Sequence, residues 1–296
     1  MTWVILCKVI VPALFVSHGA AQSFNNAPPT FWRKPTITAS YSTRTDSAKK
    51  AFQPIFDNLV NQTADSLEFK DNPPEFSMPG TFIYELALFD FLTNQTQYRD
   101  TVQSYFESVA NDNPYFEGAY LDTPLIYGYA AMQAYHAYGD PLYLQYAQDS
   151  WEFGSDWTIT TDDVTNGRFP GANWTLPPHC TVGSLAGGTF YENVNNSFFE
   201  GQSNSTYINA LATGSFFVLS ALLAEATSNQ TYMNAAELTL TFVENELLTG
   251  SDAVKDGING NDCGNGGFNY PYDAGIMIEG LAVMNSLQAL QDINTH

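Results

Sequence analysis

Apolar residues recur at three- and four-residue spacing along most of the chain. That period predicts helices over 46–61, 79–93, 97–111, 124–138, 141–155, 206–227, 230–248 and 274–290. The 206–227 stretch (Ala210, Leu211, Phe216, Phe217, Leu219, Leu222, Leu223) is apolar almost all round and reads as a buried inner helix. The 97–111 stretch is more amphipathic and reads as an outer one. Residues 22–45, rich in Asn, Pro, Ser and Thr without a clean period, read as an extended arm ahead of a helical domain over 46–296.

The joints between helices repeat. Phe91-Leu-Thr-Asn94-Gln-Thr-Gln-Tyr98 recurs as Ala137-Tyr-Gly-Asp140-Pro-Leu-Tyr143 and as Ala226-Thr-Ser-Asn229-Gln-Thr-Tyr232. In each, an apolar helix ends and Asn or Asp stands where a helix N-cap is wanted, with Pro141 suited to a first helical position. The spacing, 46 positions and then 89, implies a helix pair of about 45 residues with one period displaced. The displaced period is 156–205, a Gly-, Asn- and Thr-rich excursion long enough to be functional. Stacked helix pairs give an open solenoid or a toroid with 79–93, 124–138, 206–227 and 274–290 inside. In a toroid the inner helices run one way, and their N-terminal ends meet at one mouth.

The first residues change the compartment. One positive charge, an apolar run over 9–16 broken by Pro12, and Gly19-Ala20-Ala21 form a secretory signal cleaved after Ala21. No later segment is expected to span a membrane, and the polar C-terminus lacks a lipid-anchor tail. Secretion leaves Cys180 and Cys263. They read as one disulfide, the alternative being two buried thiols. Six sequons, at Asn61, Asn94, Asn173, Asn195, Asn204 and Asn229, predict N-glycans on exposed loops. The formal charge of −21 argues against a nucleic-acid partner. The histidines lack ligand spacing, no phosphate loop follows a strand, and Asp256 to Gly267 lacks the alternate oxygen spacing of a calcium loop; it reads as a turn. No metal or cofactor is expected, and the protein is expected to be an extracellular or cell-wall-associated monomer.

The inner-helix starts bring aromatic rings and carboxylates to the mouth: Leu121-Asp122-Thr123-Pro124 and Tyr270-Pro-Tyr272-Asp273 above all. Rings that stack on sugars beside acids that protonate or attack are what glycoside cleavage needs. Asp122-Thr-Pro-Leu-Ile-Tyr127, followed by Gly139-Asp-Pro-Leu-Tyr-Leu144, resembles the segment bearing the catalytic Asp-Asp pair in glycoside hydrolase family 76. Gly187-Gly188-Thr189-Phe190-Tyr191, Ile208-Asn209-Ala210 and Tyr272-Asp273-Ala274-Gly275 resemble further motifs of that family, in the same order, across about 79–290.

The resemblance implies an all-α (α/α)6 toroid and endo-acting, retaining cleavage of α-1,6-linked mannan; fungal cell-wall members are thought to be transglycosidases. It implies a nucleophile at Asp122 and puts Thr123 where the family has its second Asp. A threonine hydroxyl cannot act as the acid, and losing an acid/base costs about 10²–10⁴ in rate. Glu117 or Asp273 would then have to serve. Glu85, Phe190, Tyr191, Asn209 and Tyr272 are candidate substrate contacts. Asp122, Thr123 and Asp273 can equally be helix caps, Glu117 a solvated loop residue, and Phe190 and Tyr191 core. Only about eight helices are expected where the family has twelve, so the ring is expected to be open or completed differently. The alternative function is a glycan-binding relative that holds mannan without cutting it.

Overall fold

The computed structural model describes residues 37–60, 68–69, 77–113, 115–172, 174–180, 183–196, 203–251 and 253–294. The signal, most of the arm, Asn61 and Asn173 lie outside these. The chain divides into two units, Met1–Asp57 and Asn58–His296. In the first, helix α1 (Tyr41–Asn58) begins five positions earlier than its period predicts. Its start is capped by the Ser40 hydroxyl, which accepts the Thr43 N–H at 3.1 Å.

The second unit is helical, as expected: α2 (Ser77–Thr93), α3 (Arg99–Asp112), α4 (Asp122–Tyr138), α5 (Pro141–Ser155), α6 (Thr161–Asn166), α7 (Ala210–Thr227), α8 (Gln230–Phe242) and α9 (Pro271–Asn294). Helix α8 runs on into a π turn, Val243–Leu247. Two of the repeated joints cap as predicted. Asp140 accepts the Leu142 N–H at 3.0 Å, and Asn229 accepts the Thr231 N–H at 2.9 Å. The third does not. Asn94 takes a left-handed φ of 54° in the turn closing α2. The buried Asp90 carboxylate instead accepts the Tyr98 N–H ahead of α3, at 2.7 Å.

Four helices form the inner set, α2, α4, α7 and α9, each packed on the next. Ring contacts fix their direction. Tyr84 meets Tyr129 edge-on (centroids 5.2 Å apart), and Phe91 meets His136 seven residues further along both helices. Gly214 lies against Met277 and Gly280 against Phe217. Thus α2 runs parallel to α4, and α7 to α9. Gly280 is required by closeness: a Cβ there would sit 2.4 Å from the Phe217 ring. Helix α5 runs the other way outside α7. Its Trp151 stacks on Phe216 and donates to the Ser220 hydroxyl at 2.8 Å, while Gly154, one turn later, lies against Phe216.

By length and composition α7 is apolar enough to cross a membrane, contrary to expectation, but 78% of that stretch is buried inside the unit. It is a core helix, as its all-round apolarity implies.

The 156–205 excursion is not a bare loop. Thr160 and Asp163 cap α6 reciprocally, and β3 (Arg168–Phe169) pairs antiparallel with β4 (Trp174–Thr175). Trp157, Phe169, Trp174 and Phe190 make a small aromatic core beneath. The return strand passes Gly187, whose φ of +98° and 2.5 Å clearance to the Leu238 carbonyl exclude a side chain. It then joins β5 (Tyr207–Asn209), which pairs antiparallel with β6 (Gly257–Asn259). Strands this short leave no period-two signal in the sequence. Elsewhere β1 (Leu59–Val60) pairs with β2 (Glu68–Phe69). A disulfide joins Cys180 to Cys263, Cα atoms 5.7 Å apart, as the even pair predicts.

Candidate functional site

Backbone bonds assemble the mouth. The Leu121 N–H donates to the Tyr191 carbonyl, and the Tyr191 N–H to the Tyr207 carbonyl, both at 2.8 Å. The Ala210 N–H donates to the Asp256 carbonyl at 2.6 Å. The starts of α4 and α7 are thereby tied to Tyr191, β5 and the residue preceding β6.

Asp122 is the first residue of α4 and half-buried. Tyr191 stacks on Tyr120 (4.6 Å) and meets Tyr207 edge-on (6.4 Å). Tyr272 stacks nearly parallel on Tyr270 at 5.3 Å and is 50% exposed. Burial, then the Asp122 charge, drive the Tyr191 hydroxyl well above its usual range. Tyr272 is raised by burial and by Asp273, Asp256, Tyr270 and Asp122. Asp122 therefore lies within electrostatic reach of both rings.

Beside them is a carboxylate pair. Asp256 accepts the Tyr207 hydroxyl and the Asn209 side-chain amide. Asp273 is wholly buried, and neither of its oxygens meets a full hydrogen-bond partner among the described residues. Burial and the Asp256 charge push its carboxyl up to about 7, and the Tyr270 backbone opposes the rise only in part.

Two helix turns below the mouth a second polar group joins α4 to α9. The Tyr129 hydroxyl on α4 donates to Glu279 Oε1 on α9 at 2.8 Å. Tyr84 packs edge-on against Tyr129, with Glu85 beside it. Burial, then the Glu85 charge, push the Tyr84 hydroxyl up to about 12. Burial also raises Glu279, and the Tyr129 hydrogen bond counteracts this.

The residues expected at a site divide. Asp122, Tyr191 and Tyr272 gather at the mouth, with Asp273 buried beneath. Glu85 stands exposed lower down, on α2. Glu117 is exposed in a turn held by Asn113, and is not among the groups acting on Tyr191 or Tyr272. Thr123 is buried and packs against Gly118.

Three expectations are corrected. Phe190 is wholly buried between Phe169 and Trp174, so it is core and not a sugar platform. Asn209 is buried, with its Oδ1 committed to the Leu211 and Ala212 N–H groups and its amide to Asp256; it is a helix cap. Asp273 has no exposed surface with which to touch a substrate here. Sequence reasoning missed Tyr120, Tyr207 and Asp256, the last because it opens a run read as a turn. It also missed Tyr129 and Glu279. They stand seven residues after Asp122 and Tyr272, as polar positions on otherwise apolar helix faces, and that spacing was a usable signal.

Helical hairpins whose parallel inner helices open on an aromatic, carboxylate-bearing mouth define an α/α-toroid type of protein. Residues 194–289, which include the Asn209 and Tyr272 motifs but not the Asp122 segment, match the family model described as Glycosyl hydrolase family 76. The fold is similar to that of the GH76A alpha-1,6-mannanase from Salegentibacter sp. HEL1_6 (TM-score 0.63, 14% identity, 83% of this chain and 65% of that one). An inactive variant of that enzyme with two aspartates replaced is solved with alpha-1,6-mannotriose (TM-score 0.61, 13% identity, 83% and 65%). Dfg5 from Chaetomium thermophilum, solved with glucosamine, is similar too (TM-score 0.63, 17% identity, 84% and 60%). The chain thus spans about 65% of the length of the mannanase. At these identities the likeness is one of fold. No curated protein matches the chain in sequence.

Proposed function

We propose that this protein is an exported, N-glycosylated glycoside hydrolase or transglycosidase that acts on α-1,6-linked mannan at the mouth of the inner helices. The observation that carries this is the setting of Asp122: one carboxylate at the start of an inner helix, within reach of Tyr191 and the exposed Tyr270–Tyr272 stack. The rings offer flat faces to sugar C–H surfaces, and Asp122 acts at the anomeric carbon. The matched fold occurs in a protein solved with alpha-1,6-mannotriose, which supports the substrate class. Asn94, Asn195, Asn204 and Asn229 are all exposed, as glycan attachment requires.

The test is incubation of the purified protein with α-1,6-mannooligosaccharides. Wild type is expected to shorten or transfer them, and Asp122→Asn to bind without cleaving. Absence of both binding and turnover overturns the reading. Thr123 favours a second reading, a lectin-like relative, because its buried hydroxyl supplies no carboxyl beside Asp122. Equal binding without turnover by wild type and Asp122→Asn selects that one.

A further inference from the structure

Three large aromatic side chains stand exposed at alternate positions, Phe268, Tyr270 and Tyr272. Tyr272, which Asp122 reaches, and its stacking partner Tyr270 belong to the mouth. Phe268 lies outside it, two positions ahead of Tyr270. It is 79% exposed, more than any other large apolar side chain among the described residues. A lone exposed ring is common on protein surfaces and carries no meaning by itself. Phe268 differs because the backbone beneath it is anchored while the ring is left out. The Asp256 N–H donates to the Phe268 carbonyl at 2.9 Å, and the Gly266 N–H to the Gly257 carbonyl at 3.2 Å. Further along, the Asp273 N–H donates to the Tyr270 carbonyl at 3.2 Å, and the bridge to Cys180 holds Cys263 at the other end. A ring presented on an anchored backbone loses little further freedom when a ligand covers it.

Two residues of chain span at most about 7 Å, so Phe268 stands next to the Tyr270–Tyr272 stack. The chemistry of the segment selects a neutral ligand. No lysine or arginine occurs from 256 to 296, so nothing there pairs with a phosphate or carboxylate. The rings offer flat apolar faces, and the exposed Asn265 and Asn269 offer amide donors and acceptors nearby. Flat C–H faces edged by hydroxyls are what a sugar presents. A glycan chain that leaves the mouth over Tyr272 and Tyr270 meets Phe268 next, and this continuity favours that occupant over a second copy of the protein.

We propose, resting on the mannan reading of the mouth, that Phe268 is the platform of a distal sugar subsite, which takes a further unit of the same glycan chain and makes the protein prefer long chains to short ones. The subsite binds and does no chemistry, so the proposal holds whether the mouth cleaves, transfers or only holds the glycan.

The test is calorimetric titration of Asp122→Asn, in which turnover is blocked, with α-1,6-mannotriose and α-1,6-mannohexaose. The hexaose is expected to bind roughly tenfold tighter, the worth of one further stacked ring. Adding Phe268→Ala should abolish that gain and leave mannotriose affinity as it was. Phe268→Leu keeps apolar volume without a flat face and should behave like the alanine variant; Phe268→Trp should keep the gain. The assignment alone is overturned if the hexaose binds no tighter than the triose, if Phe268→Ala weakens neither ligand or both equally, or if Phe268→Leu keeps the full gain. It is also overturned if Phe268→Ala turns a dimer into a monomer in sedimentation with hexaose affinity unchanged, since a second copy would then be what covers the ring. Phe268→Ala should melt where its parent does; a melting point several degrees lower would mean that the ring is packed and counts against the proposal. Failure of both wild type and Asp122→Asn to bind either oligomer overturns the mannan reading together with it.

Discussion

Phe190 and Tyr191 are adjacent in an extended segment, and adjacent side chains there point to opposite sides. Phe190 points down into Phe169 and Trp174; Tyr191 points up onto Tyr120 beside Asp122. In sequence the two are indistinguishable, because the partners that separate core from site come from 50 or more residues away in one case and from the excursion itself in the other. Phe190→Ala should cost about 3–5 kcal/mol in urea unfolding, the range for a buried aromatic. Tyr191→Ala should cost under about 1.5 kcal/mol but weaken mannotriose binding by roughly tenfold, the loss of one stacked ring in calorimetric titration. Equal destabilisation by both would remove Tyr191 from the mouth.

At the level of elements, the long helices were legible because each carries a sustained apolar face, and the ends of α4 and α7 were legible from Gly139 and Asn229. The Asn94 cap was not. It competes with Asp90, a buried carboxylate one turn back whose bond to the Tyr98 backbone no local pattern announces. The paired strands β5 and β6 were missed for a related reason: three residues each, joined across nearly fifty positions. Their stability rests on tertiary ties, among them the Cys180–Cys263 bridge close to the end of β6. Replacing both cysteines by serine should cost about 2–4 kcal/mol. The loss should be local in hydrogen exchange: Gly257–Asn259 amides lose protection while α7 amides keep theirs. Uniform loss across α7 and β6 would mean that the bridge holds the whole unit and not the mouth.

Across the whole molecule, the acidic balance and the buried carboxyls act in the same direction. With a formal charge of −21, self-repulsion weakens the compact state as pH rises. Burial raises Glu225, Glu246 and Glu279, and raises Asp273 from 3.8 to about 7. An acid whose folded-state value exceeds its unfolded one binds more protons folded than unfolded between those two values. Its contribution is therefore fully present below the lower value and is lost as pH rises through the higher. For Asp273 that window runs from 3.8 to about 7, and the difference amounts to at most about 4 kcal/mol. The melting temperature should accordingly rise as pH falls from 8 to 5, and added salt should raise it at pH 8 by screening. Asp273→Asn keeps the shape without the titration, so its melting curve should be flatter across this range and lie above wild type at pH 8. A wild-type melting temperature that is constant or falls on acidification to pH 5 would show that the buried carboxyls are ionised in the folded state, and Asp273→Asn would then give no gain at pH 8.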